Sequence, residues 1–119
     1  HELVYRDPFT FDITKRISVH SDKGPVTNLN ELEFHNGRIY ANLWRNELRN
    51  QEDSRMNFSK IVEINPQNGQ LMGYIDIRDL IERSIKSGVP NGIAFRASSN
   101  TFWITGKNWN EAYEIKVNH

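Results

Sequence analysis

Within the stretch NLNELEFHNGRIYANLW, residues 28 to 44, an amide, two carboxylates and an indole stand close together: Asn30, Glu31, Glu33 and Trp44. A primary amide both donates and accepts hydrogen bonds, so Asn30 suits recognition of another amide or of an ammonium group. It equally suits satisfying backbone groups at the start of a strand, and a second asparagine in a similar setting, Asn91, favours that plainer role. Glu31 and Glu33 are two residues apart, which in a regular strand puts both on one face. Repulsion between them would raise one carboxyl pKa and make an acid/base candidate; ion pairing or capping at a strand end is the structural alternative. Trp44 closes the run, either as a flat wall for a ligand or as core. Lys107 follows Thr105-Gly106, where glycine lets the backbone turn and an ammonium project from a strand end; a solvated surface lysine is the ordinary alternative.

The elements that must position these residues come from an internal repeat. LVYRDPFTFDITKRISV (3–19) aligns without gaps on IVEINPQNGQLMGYIDI (61–77), with Asp7-Pro8 falling on Asn65-Pro66. Each copy reads as a strand, an Asx-Pro turn and a second strand, because proline fixes φ at the turn and ends the ladder. A second echo links NELEFHNGRIYANLW (30–44) with NGIAFRASSNTFWITGK (91–107), setting Asn30 on Asn91, Phe34 on Phe95 and Trp44 on Lys107. The HNGR segment at 35–38 predicts a tight hairpin, since Asn-Gly tolerates the positive φ values of a type I′ turn.

Two kinds of hairpin therefore alternate, and two consecutive hairpins make one four-stranded propeller blade. The period is near 60 residues, longer than the roughly 40–50 of familiar blades. Two insertions account for the excess: a polar loop over 46–58, and a short helix near 79–87, where Leu80, Ile81, Ser84 and Ile85 have helical spacing and Gly88 is a stop. The expected fold is all-β, about two four-stranded antiparallel blades with one inserted helix. Closed propellers need about four or more blades, and open sheet edges invite pairing. Residues 1–119 are thus expected to form a partial propeller domain, completed by missing blades or by self-association.

Composition narrows the function. Fifteen basic and fifteen acidic residues give a formal net charge of zero, which supplies no attraction for nucleic acid or an anionic membrane. No apolar run is long enough for a membrane-spanning helix. The absence of cysteine removes disulfides, thiolate metal sites and a thiol nucleophile. His1, His20, His35 and His119 lack metal-ligand spacing, GPVTN and NPQNGQ are not phosphate loops, and no Ser-His-Asp set can be assembled.

The blocks DPFTF…ISV, NLNELEFHNGRIYANLW, KIVEINPQNGQLMGYIDI, NGIAF and WITGKNW…YEI occur in order along nearly the whole chain. Together they resemble the glutamine cyclotransferases, the plant and bacterial type of glutaminyl-peptide cyclotransferase. The resemblance implies a five-bladed β-propeller that converts N-terminal glutamine into pyroglutamate with release of ammonia and no cofactor, and it places this chain in the C-terminal half. It implies a peptide or protein with N-terminal glutamine as substrate, and a periplasmic, secreted or secretory-pathway location. It matches Asn30 to the family's functional asparagine, Trp44 to a pocket tryptophan and Lys107 to a pocket lysine, and it places the proton-transfer glutamate in a blade absent from this sequence. Trp103 and Trp109 have no such match and read as packing residues.

That reaction sets definite needs. The α-amine attacks the side-chain amide carbon within one molecule, so holding a near-attack conformer contributes much of the rate. A carboxyl group takes a proton from the amine and returns it to departing ammonia, and a preorganised donor stabilises the developing oxyanion. Lys107 suits that last role, or orienting the carboxylate. Two other functions compete: a non-catalytic propeller module that binds peptides or proteins, and a sugar-acting propeller. The second is disfavoured because Glu31 and Glu33, adjacent on one strand, make poor opposed carboxylates.

Overall fold

Asx-Pro turns and an Asn-Gly turn set where the strands of this chain begin and end. The computed structural model describes residues 1–44, 59–84 and 88–118. In chain order the elements are β1 (Glu2–Arg6), β2 (Ile13–Ser18), β3 (His20–Ser21), β4 (Gly24–Pro25), β5 (Leu29–His35), β6 (Arg38–Leu43), β7 (Lys60–Ile64), β8 (Leu71–Asp76), α1 (Arg78–Arg83), β9 (Pro90–Arg96), β10 (Thr101–Gly106) and β11 (Tyr113–Ile115).

The repeat is structural as well as textual. Asp7 Oδ1 accepts the N–H groups of Phe9 and Thr10, each at 2.8 Å, and Asn65 Oδ1 accepts the N–H of Gln67 at 2.9 Å. In both turns the Asx carbonyl also accepts an N–H four residues on, from Phe11 and from Gly69, each at 2.8 Å. Phe11 and Gly69 take the same left-handed conformation, φ 64° and 77°. The HNGR turn is of the expected kind, with Asn36 at φ 49° and Gly37 at φ 73° closing the β5–β6 hairpin.

Every ladder between named strands is antiparallel among the described residues. The strands are distributed as one complete four-stranded sheet, β5-β6-β7-β8, between the hairpin β1–β2 and the three-stranded sheet β11-β10-β9; β3 and β4 form a small separate ribbon. The blade frame is therefore an Asn-led hairpin followed by an Asx-Pro hairpin, joined by the β6–β7 ladder.

The central sheet is covered on both faces, which is why β6 and β7 are apolar almost throughout. Strand alternation sends Ile39, Ala41, Val62 and Ile64 to one face, where they pack with Leu3 and Val19. Tyr40 and Ile61 go to the other, against Ile77, Ile81, Ile93, Phe102 and Ile104. Each large side chain so buried contributes about 1.5–3 kcal/mol. Sheets stacked face to face in chain order are the arrangement of consecutive blades.

The helix is shorter than its spacing predicts. It ends at Arg83 because Ser84 turns extended, at φ −70° and ψ 160°, and donates its hydroxyl to the Ile81 carbonyl at 2.7 Å. Ile81 is its fully buried anchor. Ile85 and the loop expected over 46–58 lie outside the described residues.

Candidate functional site

Asn30 and Asn91 sit near the starts of β5 and β9, the two strands that meet between neighbouring sheets. The far ends of these strands are pinned together by His35, which stacks on Phe95 at 3.3 Å between ring centroids and meets Phe102 edge-on at 5.8 Å. The strands thus run the same way, and their starts share the opposite rim. Trp44 and Lys107 follow the ends of their antiparallel partners β6 and β10, at that same rim.

One backbone bond fixes the correspondence between the two hairpins. The Trp44 N–H donates to the Asn28 carbonyl at 2.7 Å, and the Lys107 N–H donates to the Val89 carbonyl at 2.9 Å. Asn30 and Asn91 each lie two residues past the acceptor, but Asn30 is paired in its ladder and Asn91 is not. Lys107 and Glu31 are exposed, Trp44 is 49% exposed, and Asn30, Glu33 and Asn91 are half-buried.

Two close approaches shape the lysine end. Gly88 lies against the Lys107 backbone at φ 84°, and any Cβ there would fall on the Lys107 carbonyl. A Cβ on Gly106 would come within 2.5–2.7 Å of the Trp109 indole. The indole also meets Tyr113 edge-on at 5.9 Å and borders the core. Trp109 is thus a packing residue that covers the backbone just before Lys107.

The regular alternation that would set Glu31 and Glu33 on one face is broken between them. Asn30 pairs with Asn42 and Leu32 with Ala41, leaving Glu31 unpaired in a bulge at φ 49°. A left-handed residue interrupts that alternation. Glu33 pairs with Tyr40 and, with Tyr5, Lys15, Leu32, Phe34, Ile39, Pro66 and Gln67, lines a cavity of about 600 Å³. Asn30, Trp44 and Lys107 do not line it. The cavity and the rim are therefore separate features, and the rim holds the groups suited to amide chemistry.

Asn42 is a buried amide that is not among the expected site residues. It is 1% exposed, on the face that meets β9 and β10, and neither atom of its amide is hydrogen-bonded among the described residues. Ser59 Oγ and the Trp109 indole Nε1 are likewise buried without partners. The signal lay in IYANLW, residues 39–44, where one amide interrupts an apolar strand.

No cluster of three or more His, Asp or Glu side chains able to hold a metal ion stands among the described residues, and none of their helices is long and apolar enough to cross a membrane.

Comparison with known proteins gives one consistent answer. A family model described as glutamine cyclotransferase matches residues 1–117. A glutaminyl-peptide cyclotransferase of Arabidopsis thaliana is 33% identical over 120 residues, spanning 96% of this chain and 34% of the relative. The crystal structure of a Myxococcus xanthus glutaminyl cyclase superposes with a TM-score of 0.80 at 31% identity, over 97% of this chain and 47% of that one. The chain thus spans half or less of the length of these relatives, and it belongs to the glutamine cyclotransferase family.

Proposed function

We propose that residues 1–119 form the C-terminal lobe of a glutaminyl-peptide cyclotransferase, closing N-terminal glutamine of a peptide or protein into pyroglutamate and releasing ammonia. The observation that carries this reading is the shared rim, with Asn30 near the start of β5 and Trp44 and Lys107 just past the ends of β6 and β10 on adjacent sheets, in a chain of this family. Trp44 is the apolar wall for the aliphatic stem of glutamine. The Asn30 amide orients the substrate amide and amine. The Lys107 ammonium stabilises the oxyanion as the amine nitrogen bonds to the side-chain carbonyl carbon; collapse of that adduct breaks the bond to the departing NH2. The carboxyl group that carries the amine proton to ammonia belongs, on this reading, to a blade outside this sequence.

Glu31, exposed and unpaired, and Glu33, on the separate cavity, are poorly placed for that proton transfer. The cavity has a different use: Leu32 and Phe34, 55% and 65% exposed on the free edge of β5, are covered by further propeller strands in the whole protein. The reading is tested by ammonia release from a glutaminyl peptide. The full-length protein turns over and the isolated 119-residue lobe does not; comparable turnover by the lobe alone returns Glu31 or Glu33 to the acid/base role.

A further inference from the structure

Asn42 is out of place in its strand. β6 is packed on both faces, yet it carries a primary amide at 1% exposure with neither amide atom hydrogen-bonded among the described residues. A buried polar group left without a partner is disfavoured and rare enough in folded proteins to require a reason. Ser59 doubles the anomaly, being 1% exposed with an unpartnered hydroxyl. Asn42 stands opposite Ile61 in the β6–β7 ladder. Ser59 lies just before β7 at the rim end, its carbonyl accepting the Ile77 N–H at 2.8 Å, which continues the pairing with β8 and the alternation that sets Ser59 on the face of Ile61.

A second, independent feature points at the same spot. With Leu32 opposite Ala41, an unbroken strand would set Glu31 opposite Asn42 and turn Asn30 to the other face. Instead Glu31 is held unpaired at φ 49°, and Asn30 stands opposite Asn42. A left-handed conformation is unfavourable for a residue with a side chain, and such strain persists where the surroundings or the function demand it. The result is two amides side by side on one face, and Asn30 makes no side-chain hydrogen bond of its own among the described residues.

We propose that Asn42, backed by Ser59, is a positioning residue for Asn30: its buried amide sets which way the Asn30 amide presents its oxygen and its NH2 group to the substrate. This rests on the cyclotransferase reading above. An amide has two nearly isosteric orientations with opposite hydrogen-bonding sense, and only one suits a given arrangement of substrate amide and amine. A matched polar partner behind Asn30 selects that orientation. Such hydrogen bonds are often unformed without substrate and tighten when it binds, which fits two amides adjacent yet unbonded here.

The test uses the full-length protein and four variants: Asn42→Leu, Ser59→Ala, Asn30→Ala and the Asn42→Leu/Asn30→Ala double. Thermal unfolding gives Tm, and ammonia release from a glutaminyl peptide gives kcat and KM. Leucine matches asparagine in size and removes the unpartnered atoms, so Tm holds or rises, while kcat/KM falls about tenfold or more. Ser59→Ala gives a smaller loss in the same direction. On the Asn30→Ala background, Asn42→Leu causes no further loss, because both changes remove one coupled unit. A lowered Tm with unchanged kcat/KM, or losses that multiply in the double variant, overturns the proposal. Should Asn42→Leu fail to fold, Asn42→Ser is read by the same double-variant criterion. A wild-type protein without turnover overturns the cyclotransferase reading and this proposal together; wild-type turnover with normal Asn42→Leu kinetics overturns this proposal alone.

Discussion

The two Asn-led hairpins, β5–β6 and β9–β10, share a backbone plan and differ in what they do with it. Both begin with the same hydrogen bond, from Trp44 to Asn28 and from Lys107 to Val89, and both slip register by one residue soon after. In the first the unpaired residue is Glu31, so Asn30 faces Asn42. In the second it is Asn91, and Gly92 faces Thr105, so closely that a Cβ on Gly92 would meet the Thr105 methyl at 2.6 Å. A shift of one residue in the bulge decides whether an asparagine joins the ladder on the inter-sheet face or stands outside it. Repetition of the hairpin thus supplies the frame, and placement of the bulge individualises each copy.

The largest expected effect separates the two rim positions. In the full-length protein Lys107→Ala lowers kcat by about 10²–10³ with little change in KM, the signature of a donor used in the transition state. Trp44→Ala, at the like position, mainly raises KM, because an apolar wall contacts substrate and transition state alike. Steady-state ammonia release checks both, and equal behaviour of the two variants would break the assignment of different roles.

The asparagines give the next contrast. Asn30→Ala lowers kcat/KM by roughly 10–100-fold, the range for losing a hydrogen bond to a polar substrate group. Asn91→Ala, at the unpaired position of the second bulge, stays within about threefold and costs little stability. Equal losses at both positions would show that the bulge does not discriminate between them.

Smaller still is the strain at the first bulge. Glu31→Val places a β-branched side chain at φ 49° and lowers stability by about 1–2 kcal/mol, read from a denaturant titration. The corresponding valine at Asn91, which lies outside the positive-φ region, has the milder effect.

The smallest effect is a pH dependence that the two Asx-Pro turns distinguish. The Thr10 N–H, then that of Phe9, holds the Asp7 carboxyl below its ordinary value. A group whose pKa is lower in the folded state stabilises that state above its unfolded pKa, and the contribution is lost as pH falls through the folded value. Stability therefore declines below about pH 4, the ordinary carboxylate range. Glu114 adds to the same decline, held low by the Thr101 hydroxyl and then that of Ser99. Asp7→Asn removes the Asp7 share, since Asn65 supports the equivalent turn with an amide. Melting curves across that pH range check the difference.

Hairpins, turn types and the blade repeat were legible in the residues themselves, because proline, Asn-Gly and strand alternation act over a few neighbours. Family membership was legible for a related reason: blocks such as NLNELEF and ITGKNW survive as contiguous text. The like places of Trp44 and Lys107, one past each hairpin's second strand, followed from the repeat. Three things were not legible in this way. The helix stopped at Arg83 because Ser84 bonds back to Ile81, a competition invisible in apolar spacing. The frame of the four-stranded sheet was decided by the β6–β7 ladder, across a segment whose length local patterns do not constrain. Asn30 took its face from a bulge, and period-two reading fails at a bulge because one residue drops out of the count. Local chemistry determined which elements form; only the stacking of one sheet on the next decided which polar groups are buried between them.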